Sequence, residues 1–233
     1  MKQVIKILFI TLLTVSCSGP MNLNEVAKTK VVPHVEQMFI HEVTTNNLLG
    51  TGTGFHLKVK DEVFIVTNKH ICQEYQMLTD SLDGATLTFI KRTTYKVRDS
   101  RGKELRILKI SEEHDLCLLS STRDEGLELA SRDVQNHEDI TVVGYPRGLA
   151  KTVRHGNKIS TEHEVFPWVS PNAITFNFMN VVAYGGNSGS PVTNSNGEVV
   201  GVLFGGFRDY HTESMIVPLL DLKIFIQMYL LGR

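Results

Sequence analysis

Short strand-like runs separated by turn signals make up most of the chain between residues 37 and 217. Thirteen such runs are rich in Val, Ile, Thr and Phe, and turn sequences such as Asn196-Gly197 lie between them. Asn-Gly favours a two-residue hairpin because both residues tolerate a positive φ. Short strands at regular spacing with turns between them predict an all-β fold, built as a barrel or a sandwich.

The strand-like runs fall into two sets of six or seven, divided near residues 122–136. Because each set could form a sheet of its own, the division predicts two half-domains. The N-terminal half-domain covers residues 34–127, and the C-terminal half-domain covers residues 128–233.

The end of the chain follows a different pattern. Leu219, Leu222, Ile226 and Tyr229 recur at helical spacing, and a proline precedes the first of them. Proline is favoured at the start of a helix. We therefore expect the chain to end in a helix over residues 219–231 that packs its apolar side on the body of the protein.

Residues 1–16 carry the pattern of a signal peptide. Lys2 precedes an apolar run from Val4 to Val15, and small residues follow. Such a segment is too short to span a bilayer stably. It resembles a lipoprotein signal, in which Cys17 becomes the lipidated first residue; ordinary cleavage nearby and a buried N-terminal helix are the alternatives. Residues 17–33 are then expected to form a tether.

These features predict an exported protein of the cell envelope, lipid-anchored to a membrane or else periplasmic or extracellular. Removing the signal peptide takes away two lysines and no acid, so the formal net charge changes from −1 to −3. A chain with this charge lacks the basic surface that nucleic-acid binding needs. We therefore expect no nucleic-acid partner.

The chain has three cysteines, too few for a disulfide-rich scaffold. Once Cys17 is lipidated, only Cys72 and Cys117 remain. An exported protein could pair them, but a sequence does not reveal whether two cysteines lie close together. Because both lie in apolar surroundings, the sequence favours buried free thiols, with a disulfide as the alternative.

Three short motifs carry residues with catalytic chemistry. His70 ends an apolar run, Asp115 opens another, and Ser188 lies in a glycine-rich turn. A serine hydroxyl is a weak nucleophile at neutral pH and needs a base within hydrogen-bond reach. Histidine can accept and return a proton near pH 7, and a buried carboxylate can hold its tautomer. Glycines beside the serine allow two backbone N–H groups to converge on a developing oxyanion.

These motifs resemble those of chymotrypsin-like serine proteases. The order His–Asp–Ser, with separations of 45 and 73 residues, is similar to theirs. The sequences at residues 67–70 and 186–192 look closest to the bacterial glutamyl endopeptidase branch. The resemblance implies two six-stranded antiparallel β-barrels, with the catalytic residues in the cleft between them.

Carried over to this chain, the resemblance implies a role for each residue. His70 is the general base and acid, Asp115 orients it, and Ser188 attacks the scissile carbonyl. The backbone N–H groups of Gly186 and Ser188 form the oxyanion hole. Asn187 differs from the animal enzymes, which carry an aspartate there to receive a new N-terminal amine, so that route of activation is not expected.

The resemblance also identifies the residues of the specificity pocket. Val182, Ala183, Leu203, Phe204 and Gly205 occupy the pocket positions. Glutamyl endopeptidases place a histidine where this chain has a leucine, and trypsin-like enzymes place an aspartate where it has a valine. An apolar wall cannot solvate a charged side chain, which would cost several kcal/mol to bury unpaired. We therefore predict a small or medium apolar substrate side chain.

Two rival functions stay open at this point. One is a protease fold that binds peptides without hydrolysing them. The other is an HtrA-like quality-control enzyme, which normally carries a PDZ domain after the protease domain. The 45 residues after Ser188 suffice for the closing strands and a helix but not for a PDZ domain.

The sequence shows no signature of a metal ion or an organic cofactor. His41-Glu42 and His163-Glu164 begin like a zinc-protease motif, but no second histidine follows at the required spacing. The expected partners are a protein or peptide substrate and, through the lipid anchor, a membrane. The protein is expected to be a monomer.

Four aromatic or imidazole side chains are ambiguous. Phe207, Tyr210 and His211 follow the predicted pocket strand, where they could line the cleft or belong to a surface loop. Trp168 beside a proline is better explained as a core or loop anchor than as a platform for a ligand.

Overall fold

The computed structural model describes residues 22–82, 85–166, 169–170, 172–206 and 212–232. The fold is all-β with a C-terminal helix, as the sequence predicts. The first half contains nine strands, in chain order: β1 (Val35–His41), β2 (Leu48–Val59), β3 (Glu62–Thr67), β4 (Gln73–Leu82), β5 (Ala85–Thr94), β6 (Lys96–Arg98), β7 (Glu104–Leu105), β8 (Ile107–Ile110) and β9 (Cys117–Ser120).

The first half differs in detail from a six-stranded barrel. Seven strands form one sheet in the order β7-β6-β1-β2-β3-β9-β8, and β4 and β5 pair only with each other in a separate hairpin. The sequence predicts a strand at β5 but none at β4. A polar run such as Gln73–Leu82 lacks apolar alternation, and its strand conformation comes from ten consecutive pairings with β5. Sequence periodicity detects a strand when one of its faces is buried. Backbone pairing between two strands of a hairpin does not require a buried face.

The second half is a closed barrel of six antiparallel strands, as predicted. The strand order around the barrel is β10-β11-β12-β15-β14-β13. The six strands are β10 (Asp139–Gly144), β11 (Thr152–Val165), β12 (Ala173–Met179), β13 (Pro191–Thr193), β14 (Val199–Gly206) and β15 (Ser214–Pro218).

The chain ends in a helix with the predicted bounds, Leu219–Leu231. This is the longest of three α-helices, α1 (Leu23–Val26), α2 (Lys69–Cys72) and α3 (Leu219–Leu231). On α3, Leu222, Phe225 and Ile226 join a buried cluster that also includes Phe55 of the first sheet. The helix of the second half therefore packs against the junction of the two halves. No helix among the described residues is long and apolar enough to cross a membrane.

Residues 22–34, most of which belong to the segment predicted as a tether, are helical and packed on the body. After α1 the chain forms a π-helical turn at Ala27–Val31 and a 3₁₀ turn at Val32–His34. The side chains of Ala27 and Val31 are buried. The segment packs on the body instead of forming a tether, because the apolar residues Ala27 and Val31 are four positions apart and share one face of a helical turn. Residues 1–21, including Cys17 and the predicted signal peptide, lie outside the described residues.

The segment that joins the two halves contacts both of them. Leu127 exchanges backbone hydrogen bonds with His56 and Lys58 on β2. A few residues later, Ala130 donates to the carbonyl of Val199 on β14. The joining segment thus extends the sheets of both halves and fixes their relative position.

The prediction of free thiols at Cys72 and Cys117 is wrong, because the two residues form a disulfide. Cys72 lies in α2 and Cys117 begins β9, and both side chains are completely buried. Their Cα atoms are 6.5 Å apart, within the range that a disulfide spans. Apolar surroundings suit a cystine as well as a thiol, so the sequence argument could not distinguish them.

Candidate active site

His70 lies just beyond the end of β3, in the short helix α2. Thr67 ends the strand, and the side chain of buried Asn68 then donates to the carbonyl of Asp115, at 2.8 Å. The β3 strand pairs directly with β9 in this region, with Thr67 opposite Cys117. This pairing brings the two segments together although His70 and Asp115 are 45 residues apart.

His70 and Asp115 form the pair that the sequence predicts. Asp115 Oδ2 lies 2.6 Å from His70 Nδ1, and Oδ1 accepts the backbone N–H of His70 at 3.0 Å. Both oxygens of the buried carboxylate therefore contact the same residue. Such a contact holds the imidazole ring in one orientation and keeps a proton on Nδ1, which leaves Nε2 available as a base.

The pKa of His70 is raised above its ordinary value. Partial burial of the ring acts in the opposite direction, but the charge of Asp115 and its hydrogen bond to the ring outweigh it. A carboxylate that stabilises the imidazolium also strengthens the imidazole as a base. This is the electrostatic behaviour expected of a general base.

Ser188 lies in a tight turn that follows two glycines. Gly186 and Gly189 have φ values of +91° and +86°, which side-chain-bearing residues rarely adopt. The Asn187 N–H donates to the carbonyl of Tyr184 at 3.0 Å, and the Ser190 N–H donates to the carbonyl of Asn187 at 2.9 Å. These bonds close the turn around the half-buried serine.

The serine turn is attached to the sheet that carries His70. Thr53 on β2 donates its backbone N–H to the carbonyl of Ser188 at 2.8 Å. A side chain added at neighbouring Gly52 would collide with Ile71, the residue after His70. The turn from the second half and the histidine segment from the first half therefore meet around one short stretch of β2.

The N–H groups predicted to form the oxyanion hole are those of Gly186 and Ser188. In the part of the chain that the structure describes, neither group donates a hydrogen bond, whereas the N–H groups of Asn187 and Gly189 both do. Two unpartnered donors beside a serine hydroxyl are what stabilisation of an oxyanion requires.

The residues predicted for the specificity pocket lie on two neighbouring segments. Ala183 and Leu203 belong to the same buried apolar cluster. Phe204 is buried and makes edge-to-face contacts with Phe166 and Phe176, at centroid distances of 5.8 and 6.3 Å. Val182 and Gly205 are half-buried. None of the five carries a charge, and Phe207, Trp168, Tyr210 and His211 lie outside the described residues.

Two neighbours of His70 belong to the motif at residues 67–70, but the sequence predicted no contact for either of them. Asn68 binds the backbone of Asp115, and Lys69 is buried and donates to the carbonyl of Val169 at 2.8 Å. Their positions directly before His70 in this motif are the sequence signal that marks them. Among the described residues, no group of His, Cys, Asp and Glu side chains is arranged to hold a metal ion.

A closed six-stranded barrel beside a second β-sheet, with a His–Asp pair and a serine turn at their junction, defines the chymotrypsin-like class. Residues 52–202 match the family model of the trypsin-like peptidase domain. The chain belongs to this family, and the matched region contains His70, Asp115 and Ser188.

Similar proteins are serine proteases of the HtrA type. The chain is 26% identical over 185 residues to serine protease HTRA4 of Mus musculus, covering 74% of this chain and 34% of that protein. It is 28% identical over 159 residues to the serine protease Do-like HtrA of Bacillus subtilis, covering 66% and 33%. The chain thus spans about a third of the length of these relatives. The resemblance to the glutamyl endopeptidase branch is not confirmed.

Solved structures support the same fold. The active form of the Rv3671c protease from M. tuberculosis has a TM-score of 0.65 at 20% identity, covering 89% of this chain and 84% of that one. The serine endoprotease from Yersinia pestis has a TM-score of 0.65 at 17% identity, covering 91% and 67%.

Proposed function

We propose that the protein is a serine endopeptidase that hydrolyses peptide bonds through an acyl-enzyme. His70 Nε2 accepts the proton of the Ser188 hydroxyl as Oγ attacks the scissile carbonyl. The protonated histidine then gives this proton to the leaving amine as the C–N bond breaks. Water attacks the resulting ester with His70 again as the base, which releases the acid and restores the serine.

One observation carries this proposal: both Asp115 oxygens contact His70, at 2.6 and 3.0 Å. A purely structural aspartate needs no such arrangement on a half-exposed imidazole. The free N–H groups of Gly186 and Ser188 support the same mechanism, because they would stabilise the oxyanion of the tetrahedral intermediate.

A fluorophosphonate probe tests the mechanism, because it reacts with activated serines. We expect the wild-type protein to be labelled and Ser188→Ala not to be labelled. Ser190→Ala is a control that removes a nearby buried hydroxyl and should remain labelled. A folded wild type that resists the probe would support the rival function, a peptide-binding module without turnover.

We also propose that the substrate side chain before the cleaved bond is small or medium-sized and apolar. Val182, Ala183, Leu203, Phe204 and Gly205 offer it no charged partner, and burying an unpaired charge is costly. Cleavage of a peptide library should show enrichment of Ala, Val or Leu at this position. Strong enrichment of Glu, Asp, Lys or Arg would refute the proposal.

We propose in addition that the protein is exported and that it is anchored to a membrane by a lipid on Cys17. The Cys72–Cys117 disulfide supports export, because disulfides form and persist in oxidising compartments. Labelling of growing cells with a radioactive fatty acid should mark the wild-type protein but not Cys17→Ala. Incorporation into both would contradict attachment at Cys17. A monomeric state is part of the same proposal, and sedimentation of the purified protein measures it.

A further inference from the structure

In the serine turn, the carbonyls of residues 185–188 each accept a hydrogen bond. The carbonyl of Gly185 accepts the N–H of Arg147 at 2.5 Å, and that of Asn187 accepts the N–H of Ser190 at 2.9 Å. The other two carbonyls, of Gly186 and Ser188, both bind Thr53.

Thr53 makes these two bonds with different groups. Its hydroxyl donates to the carbonyl of Gly186 at 2.7 Å, and its backbone N–H donates to the carbonyl of Ser188 at 2.8 Å. The hydroxyl also accepts the N–H of Tyr145 at 3.1 Å. Thr53 is completely buried, so water cannot replace these partners.

The backbone of the turn needs such anchoring. Gly185 is exposed, and a side chain added there would touch nothing within 4 Å. Gly186 has no side chain that would restrict its conformation. The Gly186 carbonyl shares a peptide plane with the Asn187 N–H, and this peptide lies between the two peptides that carry the Gly186 and Ser188 N–H groups. A change in its orientation at the flexible glycine would alter how these two N–H groups are directed relative to each other.

Thr53 is also tied to the strand that leads to the histidine. Its carbonyl accepts the hydroxyl of Thr67 at 2.7 Å, and Thr67 lies three residues before His70. One residue thus connects the serine turn, the Tyr145 segment of the second half and the histidine strand of the first half.

We propose that Thr53 is a positioning residue for catalysis, whose hydroxyl fixes the peptide between Gly186 and Asn187 and so keeps the N–H groups on either side of it, of Gly186 and Ser188, directed at the oxyanion. This inference rests on the proposed function, since it assigns a role in the same site. Threonine at this place is chemically suited, because one hydroxyl both donates to a carbonyl and accepts an N–H. A charged side chain at this buried position would need an oppositely charged partner of its own.

The test compares Thr53→Val, which keeps the shape and removes the hydroxyl, with Thr53→Ser, which restores it. Thr193→Val is the matched control, because Thr193 is equally buried and donates to a backbone carbonyl, of Thr141, at 3.4 Å. For each purified protein, the measurements are kcat and KM on a peptide substrate, the rate of fluorophosphonate labelling, and the melting temperature.

We expect Thr53→Val to lower kcat by about 10- to 100-fold with little change in KM, because the oxyanion is stabilised mainly in the transition state. The labelling rate should fall in parallel. Thr53→Ser should stay within about threefold of the wild type, since the hydroxyl is retained. Thr193→Val should keep the wild-type kcat even if its melting temperature falls.

Binding of a peptide aldehyde, which forms a tetrahedral adduct, provides a readout that a merely structural role would not change. Its affinity should fall in Thr53→Val by the same factor as kcat/KM, while the affinity for the product peptide stays constant. If Thr53→Val does not fold, Thr53→Ala is measured in its place.

The possible outcomes separate the inference from the function. A labelled, active wild type with an unimpaired Thr53→Val overturns the inference alone. Equal losses in Thr53→Val and Thr53→Ser also overturn it, because the hydroxyl would then not be the cause. A folded wild type that is neither labelled nor active overturns the proposed function and this inference together.

Discussion

At the scale of single residues, the pairing of His70 with Asp115 determines how the site responds to pH. The carboxylate is almost completely buried, and the imidazole is partly exposed on its other side. Asp115 therefore interacts with His70 without competition from water, while the opposite nitrogen can reach a substrate. The same contact raises the pKa of His70, so the base loses its function when pH falls through this raised value.

We predict that Asp115→Asn lowers kcat by about 10⁴-fold, because the amide favours the wrong tautomer of the histidine. The acid limb of the kcat/KM profile should also move to lower pH, since the charge that raises the pKa of His70 is lost. Rate measurements from pH 5 to pH 9 check both effects. Asp139→Asn, at an exposed position on β10, is the control and should match the wild-type profile.

At the scale of elements, the disulfide joins the two segments that carry His70 and Asp115. Cys72 lies two residues after His70, and Cys117 lies two residues after Asp115. The bond closes a loop of 45 residues that includes the β4–β5 hairpin. Because that hairpin pairs with no other strand in the part of the chain that the structure describes, the covalent link limits how far the loop can separate the two segments.

We predict that replacing both cysteines by alanine lowers the free energy of unfolding by about 4 kcal/mol, the loop-closure entropy for a loop of this length. Urea denaturation of the double variant and of the oxidised wild type measures the difference. The reduced wild type, which keeps both side chains, separates the effect of the bond from the loss of packing. Equal stability of all three proteins would contradict a stabilising role.

At the scale of the whole molecule, a group of charged and polar side chains connects the N-terminal segment to both halves. Glu36 and His56 of this group are buried, and Arg123 is exposed. Glu36 on β1 lies 3.2 Å from His56 Nε2 and is also bonded to Arg123. Arg123 donates in addition to the carbonyl of Pro33 at 2.7 Å. Lys151 of the second half donates to the carbonyls of Val32 and Val35, at 2.7 and 2.6 Å.

The contacts of Glu36 with His56 and Arg123 hold its pKa at about 2, well below its ordinary value of 4.5. The hydrogen bond with His56 is the largest cause, and the charges of His56 and Arg123 add to it, while burial acts in the opposite direction. A carboxyl group with a lowered pKa stabilises the folded state above its unfolded pKa and loses this effect as pH falls toward the folded value.

We predict that Glu36→Gln lowers the free energy of unfolding by about 1–3 kcal/mol at pH 7, because buried His56 and exposed Arg123 lose a charged hydrogen-bond acceptor. The difference from the wild type should shrink as pH falls from 4.5 toward 2. Denaturation curves at several pH values test this dependence. Glu164→Gln, at an exposed position on β11, should show almost no difference at any pH.

Local sequence patterns correctly predict the all-β class, the six strands of the second barrel and the bounds of α3, and they point to His70, Asp115 and Ser188 as the candidate catalytic residues. These features depend on local patterns: alternating or continuous apolar runs, helical spacing, glycine in a strained turn and short motifs in a fixed order. The same local patterns did not predict β4, because its sequence lacks alternating apolar residues.

Which distant groups come into contact is visible only in the folded structure. The Cys72–Cys117 bond and the Thr53 contacts join residues that are 45 and 133 positions apart. The packed N-terminal segment likewise depends on Lys151, which belongs to the second half. Such contacts depend on how the sheets pair and close in space. Composition and periodicity indicate whether a residue is polar or apolar, but they do not indicate which distant residue it contacts.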